Sequence, residues 1–164
     1  MTLESLNQMD RQAFANVLGW IFEHSPWVAE RSWRHRPFAT VDNLHEAMVR
    51  EVAVADDEAQ VALLRAHPDL GARARMSDAS LGEQSGAGLD RLTPAEFESL
   101  RRLNAAYRDK FGFPFIYAVK GSTKHDILLA LQTRLAGDLA AERATALAQI
   151  YRIARFRLED TLHA

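Results

Sequence analysis

Residues 93–117 read TPAEFESLRRLNAAYRDKFGFPFIY and contain a helix start, an amphipathic helix, a helix stop and an extended run. Thr93 and Glu96 are three residues apart with Pro94 between them, which is the pattern of a capping box with proline in the first helical turn. Apolar side chains then recur at spacings of three and four, so the spacing predicts one buried helix face. Gly112 predicts the end of this helix.

The run from Phe113 to Val119 is the only strand-like stretch of the sequence. Pro114 lies inside it and no second run is available to pair with it, which favours an extended buried segment over a sheet strand. The aromatic side chains of such a segment are more often core than binding site. Its backbone N–H and C=O groups nevertheless need partners, and a polar ligand could supply them.

Helical periodicity extends in both directions from this stretch. Toward the N-terminus, Phe14, Leu18 and Phe22 share one stripe, which predicts a helix that continues to Ser25. Further helices are predicted from Pro26 to Pro37, over residues 44–52, from Asp56 to about His67, from Ser122 or Thr123 to Leu135, and from Asp138 almost to the C-terminus. The pattern predicts an all-α fold in which residues 1–164 form a single compact multi-helix domain.

Composition excludes several classes of protein and partner. The 164 residues carry 20 basic and 22 acidic side chains, a formal net charge of −2, so we expect no nucleic-acid partner and no attraction to an anionic membrane. No apolar run approaches the roughly 20 residues of a membrane helix, and the polar N-terminus lacks a signal-peptide pattern. The absence of cysteine excludes disulfides and thiolate sites. A cytoplasmic enzyme is the expectation.

Two stretches, residues 68–93 and 111–122, lie outside the helical pattern and contain residues that are unusual for surface linkers. His67 lies at a predicted helix end, and an imidazole, which titrates at about pH 6.5, can both take and give a proton at neutral pH. In SLGEQSGAGL, residues 80–89, one or two helical turns would place Ser80, Glu83 and Gln84 on one face. That face would offer acceptors and donors suited to a planar urea-like group.

Plainer interpretations of the same residues stay open at this point. A lone histidine is more often a packing or capping residue than a catalytic one, and residues 80–89 could be a flexible polar loop. A metal site is weakly supported, because His67 and Asp69 are only two residues apart and no helical histidine pair is present.

The last predicted helix carries Arg152, Arg155 and Arg157. A guanidinium binds a carboxylate through two parallel hydrogen bonds, so an arginine that faces inward is a candidate for binding an anion. Arg157 lies beside the apolar positions Ala154 and Leu158, which favours an inward direction for its side chain. A solvated helix face is the expectation for the other two.

Five blocks of sequence, in this order, resemble the OHCU decarboxylases, where OHCU abbreviates 2-oxo-4-hydroxy-4-carboxy-5-ureidoimidazoline. The blocks are His67-Pro68-Asp69-Leu70, Ser80-x-x-Glu83-Gln84, Ala87-Gly88-Leu89, Asn104-x-x-Tyr107-x-x-Lys110-Phe111-Gly112-Phe113-Pro114-Phe115-Ile116 and Ile153-Ala154-x-x-Arg157-Leu158. The likeness covers nearly the whole chain at compatible spacings. One block alone would be weak, whereas the five together are specific.

The resemblance implies an all-α homodimer that decarboxylates a ureidoimidazoline to (S)-allantoin in urate breakdown, without cofactor or metal. It implies that the catalytic residues are His67, Glu83 and Arg157. It also implies that substrate is bound by Pro68, Ser80, Gln84 and the segment Phe115, Ile116 and Tyr117. Arg155 is only two residues from Arg157, which makes the arginine the least secure of these assignments.

Two other functions are compatible with parts of the pattern. A non-catalytic helical interaction module would explain the periodicity and the ordinary composition. It would not explain why His67, Glu83, Gln84 and the FGFPFI run occur in irregular stretches. A hydrolase acting on another ureide would need only that Glu83 or His67 activate a water molecule.

Overall fold

The computed structural model describes residues 1–71 and 78–162, and for residues 78–81 it describes the backbone alone. Regular structure in the described residues is entirely helical, which confirms the predicted all-α class. The helices are α1 Leu3–Asn7, α2 Arg11–Leu18, α3 Trp27–Ser32, α4 Val41–Ala53, α5 Asp57–Ala66, α6 Asp78–Gly86, α7 Pro94–Phe111, α8 Lys124–Leu135 and α9 Leu139–Thr161, with a 3-10 turn at Trp33–His35. None of these helices combines the length and the apolar character that crossing a membrane requires.

The chain folds as two compact units. The first unit comprises Met1–Ala66 and Ile150–Ala164, and the second comprises His67–Gln149. The first therefore contains α1 to α5 and the C-terminal part of α9, whereas the second contains α6 to α8 and the start of α9. His67 belongs to the second unit and Arg157 to the first.

The predicted start and end of α7 are confirmed. The Glu96 N–H donates to the Thr93 hydroxyl and the Thr93 N–H donates to the Glu96 carboxylate, so the capping box is complete. Gly112 follows the helix with a φ of 80°, in the left-handed region where a Cβ would be strained. Thr123 and Asp126 form a second capping box at the start of α8, which selects Thr123 from the two predicted caps.

The helix predicted to continue to Ser25 ends instead at Leu18. The Gly19 N–H donates the last helical hydrogen bond, to the Ala15 carbonyl at 2.7 Å, and the chain then turns. Phe22 is nevertheless only 1 % exposed. The apolar stripe therefore predicted burial correctly and helix length wrongly, because a side chain can be buried from an irregular backbone when other groups satisfy the carbonyls.

The segment from Phe113 to Val119 is neither helix nor strand, and it is buried apart from the half-buried Tyr117, as predicted. It packs on α7 through Tyr107, whose ring centroid lies 5.4 Å from that of Phe115 in an edge-to-face arrangement. Aromatic packing on α7 thus holds an extended stretch of backbone inside the second unit.

Candidate active site

The chain after α5 is held in place by side chains of α7. The Arg108 guanidinium donates from Nη2 to an Asp69 carboxylate oxygen at 2.8 Å, and Asn104 donates from Nδ2 to the Leu70 carbonyl at 2.9 Å. His67, at the start of this segment, is 7 % exposed. The residues after the histidine therefore fix the path of the backbone that presents the imidazole.

Gly71 completes this segment and connects it to α6. Its N–H donates to Gln84 Oε1 at 2.8 Å. Its φ is +82°, which strains any other residue. A Cβ built there would lie 2.6 Å from Leu100 Cδ2, so the Leu100 side chain would also have to move. Helix α6 and the His-Pro-Asp-Leu segment are thereby tied together within one unit.

The residues considered for a shared helical face lie on α6, so of the two interpretations left open, helical turns and a flexible loop, the structure shows the helical turns. Gln84 is buried, and its Oε1 is used by Gly71, which leaves the Nε2 donors of the amide as the part that could meet a ligand. Glu83 is half-buried. The side chain of Ser80 lies outside the described residues.

The extended segment presents a row of backbone donors. Phe115 and Ile116 are 1 % and 2 % exposed. Among the hydrogen bonds formed by the described residues, none is donated by the N–H of Phe115, Ile116 or Tyr117. A buried N–H without an acceptor costs about 1–3 kcal/mol, so the N–H groups of the two buried residues Phe115 and Ile116 are typical of a place where a ligand supplies the acceptors.

Other backbone groups of this segment form hydrogen bonds with side chains. Ile116 accepts a hydrogen bond on its carbonyl from Arg134 Nη1 at 2.7 Å, and the Ala118 N–H donates to Gln149 Oε1 at 2.9 Å. The Arg134 guanidinium also lies over the Phe115 ring, with Cζ 4.5 Å from the ring centroid. One arginine thus contacts both the backbone and a side chain of the segment.

Arg134 is paired in turn with a buried carboxylate. Its Nε donates to Glu142 Oε1 at 2.6 Å, and the Tyr107 hydroxyl donates to the same oxygen at 2.7 Å. Burial raises the pKa of the Tyr107 hydroxyl above its ordinary value, and the hydrogen bond to Glu142 adds to that effect. Tyr107 therefore stays a proton donor to Glu142 at neutral pH.

Arg157, in the first unit, is buried as predicted, with 4 % of its surface exposed. Its Nη2 donates to Glu23 Oε2 at 2.8 Å, and its Nη1 donates to the carbonyls of Trp20 and Ile21 at 3.2 and 3.3 Å. These carbonyls follow the early end of α2, which explains how they are satisfied without helical partners. His24, next to Glu23, has a φ of 48°, which non-glycine residues rarely adopt.

The two neighbouring arginines of α9 behave as the sequence predicted. Arg155 pairs with Asp42 and with Glu159, and about a third of its side chain is exposed. Arg152 lies over the Phe156 ring at 6.0 Å. Arg155 therefore makes surface ion pairs, and Arg157 is the inward-facing member of the set.

Sequence reasoning missed Glu23 and Glu142, the two buried carboxylates that pair with Arg157 and Arg134. It also missed Arg134, which no family block contained. An acidic and a basic residue at helix-compatible positions are too common to be noticed one at a time. The Tyr107 position lay in a recognised block, but its hydroxyl partner is 35 residues away in sequence.

In the part of the chain that the structure describes, neither a metal cluster nor the cavity beside α7 adds to the predicted set. Among the described residues no group of three or more His, Cys, Asp or Glu side chains is placed to hold a metal ion. A cavity of about 580 Å³ lies between the segment from Asp69 to Gly71 and the α7 side chains Phe97, Leu100 and Asn104. None of the described residues predicted for the site lines this cavity.

Comparison with known proteins gives one consistent result. The sequence model of the OHCU decarboxylase family matches residues 7–159. A 2-oxo-4-hydroxy-4-carboxy-5-ureidoimidazoline decarboxylase of Halalkalicoccus jeotgali is 48 % identical over 160 residues, which are 98 % of this chain and 91 % of the relative. The uric acid degradation bifunctional protein PucL of Bacillus subtilis is 51 % identical over 98 % of this chain, which spans 33 % of that longer protein.

A solved structure agrees with the sequence relatives. The crystal structure of an (S)-allantoin synthase superposes with a TM-score of 0.83 at 35 % identity, over 99 % of this chain and 54 % of the other. The match to the family model covers most of the chain, and the resemblance predicted from five sequence blocks is confirmed. This chain belongs to the OHCU decarboxylase family.

Proposed function

We propose that this protein catalyses the decarboxylation of 2-oxo-4-hydroxy-4-carboxy-5-ureidoimidazoline to (S)-allantoin. The observation that carries the proposal is the 48 % identity to a relative of that name over 98 % of the chain. The relative named for uric acid degradation and the similar (S)-allantoin synthase structure support the same reaction and place it in urate breakdown.

The substrate contains its own electron sink, so the reaction needs no cofactor chemistry. The C–C bond to the carboxylate breaks, and CO2 leaves. The electron pair moves toward the adjacent ring carbon, the π pair of its C=N bond moves onto the nitrogen, which takes up a proton, and an enol-like intermediate forms. Protonation of the ureido-bearing carbon and loss of the hydroxyl proton then give allantoin. The protein has to place the substrate, move protons and select one face.

In this proposal His67 is the general acid–base residue. It takes or shares the substrate hydroxyl proton as CO2 leaves, and it, or a water that it holds, protonates the ureido-bearing carbon from one face. Glu83 accepts hydrogen bonds from ureido and ring N–H groups. Gln84 donates from Nε2 to a substrate carbonyl, because its Oε1 already accepts the Gly71 N–H.

The remaining contacts involve substrate oxygens. The N–H groups of Phe115, Ile116 and Tyr117 donate to carbonyl or carboxylate oxygens, since the described residues offer them no acceptor. Arg157 binds an anionic oxygen in this proposal. Pro68 and Ser80 stay predicted substrate contacts.

The decisive experiment follows the products of urate oxidation by circular dichroism and NMR, with and without the protein. The uncatalysed reaction gives racemic allantoin, so the enantiomeric excess of (S)-allantoin is a sharper measure than rate. We expect wild-type protein to give an excess of the (S) form, and His67→Ala to lower the rate by about 10²–10⁴-fold and to abolish the excess.

His125→Ala is the matched control, since His125 lies in the same unit and its side chain is 76 % exposed. The control should leave both measurements at the wild-type level. Unchanged rate and unchanged stereochemistry in His67→Ala would refute the assigned role. A product other than allantoin and CO2 would instead favour the hydrolase, and no change in any product would favour the interaction module.

We also propose that the protein is a homodimer, as the family resemblance implies, and that it is cytoplasmic, as the sequence analysis predicts. Sedimentation equilibrium at micromolar concentration tests the oligomeric state, and a mass of one chain would contradict it. Full activity in excess chelator is the expected result of a reaction without a metal.

A further inference from the structure

We propose that Arg134, held by Glu142 and Tyr107, is a positioning residue that directs the Tyr117 N–H toward the substrate. This inference rests on the proposed function, because it assigns a purpose to the row of backbone donors. Arg134 itself contacts the segment from the side of the Ile116 carbonyl, and it acts through the backbone.

The guanidinium is fixed in three directions. Its Nη1 donates to the Ile116 carbonyl at 2.7 Å, and its Nε donates to Glu142 at 2.6 Å. Its Cζ lies over the Phe115 ring, 4.5 Å from the ring centroid. A guanidinium is planar, so two hydrogen bonds from different nitrogens and one stacking contact leave it no freedom to rotate. The Ile116 carbonyl is thereby held in one orientation.

The orientation of that carbonyl decides the orientation of the next N–H. The Ile116 C=O and the Tyr117 N–H belong to one planar peptide unit, and in a trans peptide they point in opposite directions. Because Arg134 holds the oxygen on its own side, the Tyr117 N–H points away from Arg134. A hydrogen bond from a cation to the carbonyl also polarises the peptide, which makes its N–H a stronger donor.

The burial of Glu142 and Tyr107, which support Arg134, indicates a role in geometry more than in stability. Glu142 is 4 % exposed and Tyr107 is fully buried, so the acceptor for Arg134 cannot move to solvent. Arg134 Nη2 is buried without a hydrogen-bond partner among the described residues, which costs free energy. A buried ion pair is often no more stabilising than apolar residues of the same size. An orienting role explains why such a pair occupies this place.

The test replaces the pair without leaving a lone buried charge. Arg134→Met with Glu142→Gln removes both charges, and the new amide still accepts from the Tyr107 hydroxyl. We expect this double variant to fold and to lose about 10- to 100-fold in kcat/KM, with a lower enantiomeric excess, because a misdirected donor weakens binding of the transition state. Arg134→Lys, which keeps the charge without the planar fork, should recover only part of the loss.

Arg101→Met with Glu98→Gln is the matched control, an ion pair of the same type on the exposed side of α7 in the same unit. It should stay within twofold of wild type. A purely structural role for Arg134 would change the melting temperature alone, so wild-type kcat/KM and enantiomeric excess in the folded double variant would overturn the proposal.

A readout that needs no activity separates this inference from the proposed function. In a ¹⁵N–¹H correlation spectrum the Tyr117 amide should shift, and its hydrogen exchange should be at least about tenfold faster, in the Arg134 variants and not in the control. An unmoved Tyr117 amide in Arg134→Lys overturns the positioning role. Wild-type protein that fails to decarboxylate the substrate overturns the proposed function, and the amide result still decides whether Arg134 orients the peptide.

Discussion

Two arginines, the buried Arg157 in the first unit and the partly buried Arg134 in the second, are bound in nearly the same way. Arg157 pairs with Glu23, donates to two backbone carbonyls and lies 5.6 Å from the Trp20 ring centroid. Arg134 pairs with Glu142, donates to one backbone carbonyl and lies 4.5 Å from an aromatic ring. Only the first was recognised from sequence, because only the first lies in a family block.

The difference between them lies in what their carbonyl partners belong to. Arg157 binds carbonyls at the early end of α2, where its hydrogen bonds replace missing helical ones. Arg134 binds a carbonyl of the extended segment, in which the N–H groups of Phe115, Ile116 and Tyr117 lack acceptors among the described residues. Similar local chemistry thus serves to close a helix end in one unit and to orient donors in the other. Burial and charge alone do not distinguish the two roles.

The largest effect is expected from breaking the deeper pair. The Glu23 side chain is fully buried and that of Arg157 is 5 % exposed, so Glu23→Leu leaves a buried cation without its carboxylate. We expect a loss of about 3–5 kcal/mol in the free energy of unfolding, measured by urea denaturation. Adding Arg157→Met should restore only part of that loss, since it removes the lone buried charge but also the hydrogen bonds to the Trp20 and Ile21 carbonyls. A single variant as stable as wild type would show that the pair is not desolvated.

A smaller effect is expected from Glu142→Gln. The Arg134 side chain is 13 % exposed, and the new amide oxygen still accepts from Tyr107, so the loss should be about 2 kcal/mol, on the scale of a hydrogen bond to a charged group. The same denaturation experiment measures it. A loss equal to that of Glu23→Leu would mean that losing the carboxylate partner costs the same free energy of unfolding for Arg134 as for Arg157.

These two pairs also mark the limit of prediction from sequence. Capping boxes such as Thr93–Glu96 were predictable because both partners lie within one turn. The end of α2 was not, because its carbonyls are satisfied by Arg157, more than 130 residues later. The Tyr107–Glu142 bond likewise joins different helices. Hydrogen bonds between residues close in sequence can be predicted from the sequence, whereas those between distant residues are seen only in the folded structure.

The candidate site divides along the same line. His67, Gln84 and the extended segment were predicted from motif blocks, and Gln84 was expected to bind substrate. The structure commits Gln84 Oε1 to Gly71, which no spacing rule could indicate. Sequence thus predicted which residues contact substrate, and the structure shows which atom of Gln84 already has a partner within the protein.

Replacing Arg155, the neighbour of Arg157 on α9, should have little effect on stability or activity, and this distinguishes the two arginines. Arg155 makes two ion pairs at the surface, and its carboxylate partners Asp42 and Glu159 are 70 % and 46 % exposed. Exposed ion pairs contribute about 0–1 kcal/mol, so Arg155→Ala should lower the free energy of unfolding by less than about 1 kcal/mol. Activity should stay within twofold of wild type. Loss of activity comparable to that of Arg157→Met would transfer the predicted substrate role to Arg155.

The contribution of the Lys124–Glu96 pair to the free energy of unfolding should change with pH only in acid. Lys124 Nζ lies 2.6 Å from Glu96, and that hydrogen bond, together with the one from the Thr93 N–H, lowers the Glu96 pKa from 4.5 to about 2. A pKa that is lower in the folded state adds stability above the unfolded value, and this contribution is lost as pH falls from 4.5 toward 2.

Glu96→Gln keeps a capping side chain but removes this pH dependence. The free energies of unfolding of wild type and variant should therefore differ by a constant amount at neutral pH and converge as pH falls through that interval. Urea denaturation followed by circular dichroism in a pH series measures the gap. If the two curves ran parallel to pH 2, the Glu96 carboxylate would be no more acidic in the folded chain than in the unfolded one. The pair with Lys124 would then contribute nothing beyond the cap, in contrast to both buried arginine pairs.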